Sequence, residues 1–498
     1  MHVGDNGKKP RIRNGLAITV WLLGLFLTGC ETQDSLMRKR IKNVEKGLLK
    51  AVFLKGLKPE KMSLDERLQF YKVPGVSLVV MDQFKIEWAR AYGVMDVQTL
   101  EPVTPNTIFQ AGGLSQPVAA AAALCLVDRG FLDLEGDVNA KLRGWQIPEN
   151  KAAGQKKVTL DGLLAHSAGF PARVFPGIPR DKPLPSLIQV LKAEAPADGF
   201  PLEIEYTPGS QALYTEAGFA VLQQLLADVD DRPFADLMKV LVLDPAGMLS
   251  STFNGSLSEG LNPRAAAGHT RNGQLLEGKW LNYPEQAAKG LRTTASDLAS
   301  FALEIVAEAR GKSAKILPAS LARAMLAPRI GSRGFGFAIE GPADDSHFFL
   351  QGKTEGFTCF LVFFPARGQG VAIMTNSENG SLLIDEIVRG ISEAYQWPDY
   401  KPQERPLFQL DPSIYQQYVG RYQVTPEYFL DVTFKDYYLV IQPTGQAPTK
   451  FYVETQSTFF SMDPYIRIQF RKDDRGTVEG LVLWQQDFEQ TGKKISGI

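Results

Sequence analysis

The apolar positions of this chain fall into patterns that change character along its length. A first apolar run, Leu16 to Leu27, is 12 residues long and follows the basic residues Lys8, Lys9, Arg11 and Arg13. It is too short to cross a bilayer comfortably, since a spanning helix needs about 20 residues, and it reads as the core of a secretory signal. Residues 31–60 are polar and charged, with Arg38-Lys39-Arg40 and Lys42, and predict a tether running into a first helix. From Val73 the pattern becomes that of a folded body. Val76 to Met81 and Ile86 to Tyr92 are β-branched or alternating runs joined near Asp82-Gln83, a predicted hairpin. Leu114 to Leu132 is alanine-rich and predicts a buried helix opening at Gly112-Gly113, with Pro117 in its first turn, where proline is tolerated. Phe219 to Val229 and Ala295 to Ala309 predict further helices, the second with Asp297 in its first turn as a helix-start residue. Phe357 to Phe364 and Gly370 to Thr375 predict two strands around Pro365-Ala366-Arg367-Gly368. Helices lying between an N-terminal hairpin and C-terminal strands predict a sheet closed by both ends of the domain. A Pro- and charge-rich stretch from Trp397-Pro398 to Pro406 marks a boundary. Beyond it, short alternating runs such as Tyr438 to Gln442, Ile466 to Phe470 and Val478 to Trp484 predict a small all-β module, a barrel or curled sheet.

Composition changes this picture little. Of 498 residues, 44% are hydrophobic and 22% charged, and the formal net charge is -1. No basic excess supports nucleic-acid binding. The four histidines are scattered and form no zinc-ligand spacing with the three cysteines, so neither a metal nor another cofactor is expected. Cys125 and Cys359 sit in apolar runs and read as small buried hydrophobes. An oxidising compartment leaves a bridge between them open, though nothing in the spacing favours one.

Leu27-Thr28-Gly29-Cys30 resembles the bacterial lipobox. The resemblance implies cleavage after residue 29 and lipidation of Cys30, hence attachment in the cell envelope. Glu31 stands where aspartate would signal inner-membrane retention, which points to the outer membrane, facing the periplasm. The domain organisation expected is a signal peptide over 1–29, a tether over 30–60, a main domain over 61–400 and a β-barrel over 405–498.

The order of segments in the main domain resembles the serine β-lactamase and penicillin-binding-protein family. Val73-Pro74-Gly75-Val76-Ser77 is similar to its opening strand, and Val103 to Phe109 to the lead-in to its nucleophile helix. Leu163-Leu164-Ala165-His166-Ser167-Ala168-Gly169-Phe170-Pro171 looks like its LLxHxSGLP signature, and Pro208-Gly209 with Tyr214 like its PG…YxN segment. Leu243 to Met248, Gly290-Leu291 to Ala299, and Gly356-Phe357 to Asn376 resemble its later motifs. The fold implied is α+β (α/β/α), an antiparallel sheet between helical layers, and the C-terminal module resembles a lipocalin-like extension attached to this family.

The resemblance also implies a chemistry from which this chain departs. The family's S-x-x-K box sets a serine at the helix start and a lysine one turn later, so that the amine can take the hydroxyl proton. In this register the serine position is Gly113 and the lysine position is Gln116. Glycine offers no nucleophile, and glutamine is no base near neutral pH. The Y-x-N box reads Tyr214-Thr215-Glu216, which keeps the phenol and puts a negative charge where a neutral amide held substrate. The third box falls on Leu350-Gln351-Gly352, with leucine for histidine; Lys353-Thr354-Glu355 is an alternative register displaced by three. The oxyanion-hole donors implied are the N–H groups of Gly113 and Lys353. His166 and Ser167 are neighbours on a helical segment and do not face each other, and the family histidine at this place is structural. Ser115 is the nearest hydroxyl to the lost nucleophile but lies about 200° around the helix. The expectation is a degenerate enzyme that binds a peptide-like or cell-wall-derived ligand, or a protein partner, in the old cleft, with the membrane reached through its lipid anchor. The alternative is a serine hydrolase (esterase, peptidase or β-lactamase-like) working through a rearranged site built on Ser115, Tyr214 or Lys353.

Overall fold

The computed structural model describes Met1, Gly4 and residues 33–496, except 150, 407, 486 and 487. Cys30 and the segment expected to be a signal peptide lie outside the described residues. Helices α1 (Gln33–Glu45) and α2 (Leu64–Tyr71) lead into the hairpin β1 (Gly75–Asp82) and β2 (Lys85–Gly93). Among shorter helical turns come three longer helices, α3 (Ser115–Asp128), α4 (Ala217–Asp230) and α5 (Ala295–Ala309). Strands β3 (Ala338–Glu340), β4 (His347–Thr354), β5 (Phe357–Phe364) and β6 (Gln369–Thr375) follow, and α6 (Gly380–Tyr395) ends the domain.

These six strands form one antiparallel sheet in the order β2-β1-β6-β5-β4-β3. The N-terminal hairpin therefore pairs with the last strand through Ile373 and Leu78. Both ends of the domain close the sheet, as the order of apolar runs predicted. β1 and β5 are buried at every residue because helices cover both faces, which is why they read as unbroken apolar runs. Alternate residues go to opposite cores. Val79, Met81, Leu361, Phe363 and Met374 join the core of α3, α4 and α5. Leu78, Val80, Val362, Phe364 and Ile373 join the core of α1, α2 and α6.

The segment expected to be a tether is part of this body. Ile41 and Val44 of α1, with Leu48, are buried in the second core. Three well-spaced apolar residues were enough to dock an otherwise charged helix.

A short helix, α7 (Pro412–Tyr418), precedes strands β7 (Gly420–Thr425), β8 (Tyr428–Lys435), β9 (Tyr438–Pro443), β10 (Thr449–Val453), β11 (Thr458–Met462), β12 (Tyr465–Lys472), β13 (Val478–Gln485) and β14 (Phe488–Ser496). Each pairs with the next and β14 returns to β7, closing an eight-stranded barrel. Tyr415 and Tyr418 of α7 are buried in its core, stacked on Phe434 at 4.7 Å and Phe470 at 4.4 Å. Their hydroxyls donate to the Tyr437 and Gln456 carbonyls, so the plug is pinned as well as packed. The barrel is fastened to the sheet domain by Arg67, whose guanidinium forks onto Glu386 of α6 (2.7 Å to each oxygen) and reaches Asp463 of the barrel at 2.8 Å.

Candidate functional site

The site is built where the first turn of α3 meets the edge of β4. Gly112-Gly113-Leu114 forms a 3-10 turn that runs into α3. Gly112 has φ +54°, and a Cβ there would lie 2.6 Å from the Lys353 nitrogen. Gly352 is tighter still, its Cβ position 1.9 Å from the Ala111 carbonyl oxygen. Two glycines thus let the helix start press against the β4 backbone. Residues Ala119 to Ala123 are fully buried, and their small side chains let α3 run through the middle of the core.

Gly113 points its missing side chain at Tyr214. A Cβ built there lies 2.9 Å from the Tyr214 hydroxyl and 3.3 Å from the Gln351 carbonyl oxygen. One turn on, Gln116 is fully buried and its amide donates to the same hydroxyl at 3.0 Å. Gln116 Oε1 has no hydrogen-bond partner among the described residues. The Tyr214 phenol is held well above its ordinary pKa, first by burial and then by the charge of Glu216; the Gln116 bond and the Arg333 guanidinium only partly offset this. It remains a neutral phenol at physiological pH. Arg333 lies 5.4 Å from the centre of the Tyr214 ring.

His166 is close behind, its ring 4.9 Å from that of Tyr214. Its Nδ1 lies 3.1 Å from the Thr215 carbonyl oxygen and 3.3 Å from the Thr215 N–H. Burial, helped by the charge of Arg333, pushes its pKa down to about 3, so the ring is neutral and serves as a packed spacer. Ser167 is buried.

Glu216 does not bring its charge into the cleft. Its carboxylate turns into the protein, accepts from the Phe175 N–H at 2.7 Å and pairs with Lys289 at 3.2 Å. Lys289 also donates to the Phe175 carbonyl at 2.9 Å. The partners are 3% and 4% exposed. Burial outweighs Lys289 and raises Glu216 to about 7. Beside them Glu285 is 3% exposed and its Oε2 has no partner among the described residues. Burial lifts this carboxyl to about 7, and the charge of Glu216 adds to the lift. Glu355, at the β4–β5 turn, accepts from the Tyr283 hydroxyl and the Gly177 N–H.

The remaining expected residues fall into place as follows. Leu350 is a core residue. Its neighbour Gly352 lies against Ala111 and Leu114, on the helix start, whereas Thr354 and Glu355 lie further along at the hairpin turn. Lys353 is exposed, and strand alternation turns its side chain away from the face of Leu350 and Gly352. Only its backbone faces the α3 turn. Ser115 is fully buried; its hydroxyl donates to the Gly112 carbonyl at 2.7 Å and accepts from the Leu291 N–H at 3.0 Å. Asp297 is capped into the start of α5 and accepts from the Ser250 N–H at 2.8 Å and the Ser251 hydroxyl at 2.7 Å. Cys125 and Cys359 are both free and buried, and burial pushes the Cys125 thiol up to about 12. Each thiol instead meets a carbonyl, Ile316 for Cys125 and Gln110 for Cys359. No group of three or more His, Cys, Asp or Glu residues is arranged to hold a metal among the described residues.

Sequence reasoning missed Lys289, Glu285 and Arg333. The first two carried a signal: charged residues at either end of a short stretch, Glu285-Gln286-Ala287-Ala288-Lys289, that leads into the buried Leu291. Arg333 sits in a glycine-rich loop with no periodicity to mark it.

The arrangement brings together the Gln116 amide, the Tyr214 hydroxyl and the Arg333 guanidinium. Cavities of about 460, 530 and 590 Å³ open elsewhere on the surface, and none of these is lined by Gly113, Gln116, Tyr214 or Glu216.

Comparison with known proteins fits this geometry. The Beta-lactamase family model matches residues 63–389. Penicillin-binding protein 4* of Bacillus subtilis is 20% identical over 432 residues, covering 81% of this chain and 91% of its own. A Salmonella typhimurium protein named "Putative D-alanyl-D-alanine carboxypeptidase" is 26% identical over 215 residues; this chain spans about half of its length, 49%. Among solved structures, the octameric penicillin-binding protein homologue from Pyrococcus abyssi superposes with a TM-score of 0.57 at 18% identity, over 86% of this chain and 98% of its own. That structural likeness speaks for the fold alone. With a family match spanning most of the sheet domain, the chain belongs to the beta-lactamase family.

Proposed function

We propose that this chain is a non-catalytic member of the family that binds a peptide-like, cell-wall-derived ligand carrying a carboxylate, and that it does so at the cell envelope, anchored through Cys30. One observation carries the reading: the Cβ position of Gly113 lies 2.9 Å from the Tyr214 hydroxyl, and the lysine position holds a glutamine bonded to that same hydroxyl. A hydrogen occupies the place from which acyl attack would start, and an amide occupies the place of the base. Losing the nucleophile and base of a serine hydrolase costs on the order of a millionfold in kcat. Donors survive the loss. Because Gln116 donates to Tyr214, the phenol's own proton is left to a ligand acceptor, and the Arg333 guanidinium favours an anion over a neutral amide.

The rearranged-hydrolase reading has less support. The Ser115 hydroxyl is buried and committed to Gly112 and Leu291, Tyr214 is a high-pKa phenol, and the Lys353 side chain lies on the other face of its strand. The test is incubation of the whole chain with a fluorescent penicillin, read by gel and intact mass. No covalent adduct is expected, while a D-alanyl-D-alanine-terminated peptide should bind reversibly in calorimetry and lose affinity in Arg333→Gln. A label on any residue, or ester turnover abolished by Tyr214→Phe, would overturn the proposal. The anchor is tested separately, by the mass of Cys30 in chain purified from bacterial membranes.

A further inference from the structure

Helix α1 has two working faces. Met37, Ile41 and Val44 hold it against the sheet domain. Leu36, Lys39, Arg40 and Asn43, spaced i, i+3, i+4 and i+7, line a cavity of about 530 Å³ that Arg367 and Tyr395 help to close. No acidic side chain is among the residues lining it. Both guanidiniums are fixed from behind. Arg40 uses Nη1 on Asp82 (2.9 Å) and Glu87 (2.7 Å) and lies 4.6 Å over the Tyr395 ring. Arg367 uses Nε and Nη2 on Asp345. Among the described residues, Arg40 Nε and Nη2 and Arg367 Nη1 make no side-chain hydrogen bond of this kind. Held guanidiniums with spare N–H groups suit a phosphate, which accepts several donors at once.

We propose that this cavity takes the phosphate headgroup of an anionic phospholipid, in the membrane to which an acylated Cys30 would tether the chain. The inference rests on the anchor in the proposed function for its occupant, though not for its geometry. Donor complementarity is one argument, the guanidinium charges themselves being balanced by Asp82, Glu87 and Asp345. The other is position: α1 begins three residues after Cys30, a reach of at most about 10 Å, and Lys39 is six residues along the helix, about 9 Å further. The exposed Leu36 adds an apolar contact at the same rim.

The experiment uses the mature chain, residues 30–498, with Cys30→Ser so that no acyl chain contributes. Sedimentation with phosphatidylcholine vesicles is compared with vesicles containing phosphatidylglycerol. Binding to the anionic vesicles and none to the neutral ones is expected. Lys39→Gln and Arg367→Gln should each lower the partition coefficient about five-fold, the effect of about one basic residue at an anionic surface. Arg38→Gln, exposed on the same helix but outside the cavity, should change it less than two-fold. An equal loss in Arg38→Gln would overturn the cavity in favour of a generally basic helix. Equal binding to both vesicle types overturns it outright, as does capture of free glycerol phosphate with no preference between vesicles. Should Cys30 prove unacylated while the anionic preference persists, the anchor fails and the headgroup site stands.

Discussion

Glu285 is a buried carboxyl with little to hold it, and replacing it should stabilise the protein at alkaline pH. The groups facing it are Glu216, Lys289 and Arg173, and Glu216 opposes its ionisation. Its folded pKa is raised to about 7 from an ordinary 4.5. A carboxyl raised on folding adds stability below its unfolded pKa, and that contribution is lost as pH rises through its folded value. Between about pH 4.5 and 7 the folded chain binds more protons than the unfolded one, so stability falls across that window. Above pH 7 the cost of the buried charge is about 3 kcal/mol. Glu285→Gln keeps the shape and removes the ionisation but still buries an amide with few partners, which returns about 1–2 kcal/mol of the gain. The net is about 1–2 kcal/mol in favour of the variant at pH 8, or a rise of about 2–4 °C in Tm. Thermal unfolding followed by fluorescence from pH 5 to pH 8.5 measures it. The variant should melt slightly below wild type at pH 5, where only the amide cost of about 1–2 kcal/mol is felt, and overtake it as pH rises. A difference that stays constant across the range, or a variant that melts lower at pH 8, would refute the reasoning.

Three further outcomes follow from the same structure. Lys289→Met strands the Glu216 carboxylate and should cost about 3–5 kcal/mol at pH 8, less at pH 5 where Glu216 can protonate; the pair Lys289→Met with Glu216→Gln should recover most of it, as a denaturant double-mutant cycle would show. Gly113→Ser alone should not be labelled by a fluorescent penicillin, because Gln116 takes no proton, whereas Gly113→Ser with Gln116→Lys should label slowly and lose about 2–3 kcal/mol for burying an amine; equal labelling of the single and double variants contradicts the assigned roles. Arg67→Met leaves Glu386 buried without its partner and cuts the tie to Asp463, so it should cost about 3–5 kcal/mol and split calorimetric unfolding into two transitions, while Asp463→Asn, whose side chain is 21% exposed, should cost about 1 kcal/mol.

What could be read from the sequence was what local pattern controls. β1 and β5 announced themselves because a strand covered on both faces has no polar alternation to hide it. The helix at Ala295–Ala309 was legible to its ends, since the Thr294 cap and the apolar spacing agree. The changes at Gly113 and Gln116 needed only a register, which Phe109 and Pro117 supplied. The direction of Glu216 was not legible. It depends on Lys289 and on the Phe175 amide, both far away in the chain, and a sequence reading sees only that asparagine has become acidic. The barrel interior was hidden for a related reason. Pro412 to Tyr418 contains Tyr415 and Tyr418 amid glutamines and reads as a polar turn until the barrel closes round it.

The substitutions at the site are one rearrangement. At Gly113 there is no room for a side chain, since the Tyr214 hydroxyl stands 2.9 Å from where a Cβ would be. A lysine at 116 would stand beside a phenol that burial and Glu216 already keep protonated, so its charge would have no counterion there; a glutamine satisfies the phenol at no electrostatic cost. Glu216 in turn is tolerable only because Lys289 lies 3.2 Å away on the far side of the α4 start, which draws the acid out of the cleft. A nucleophile returned alone would meet a closed space and no base. On the proposed reading, a hydroxyl, an amide and a guanidinium are the groups left there to meet a ligand carboxylate.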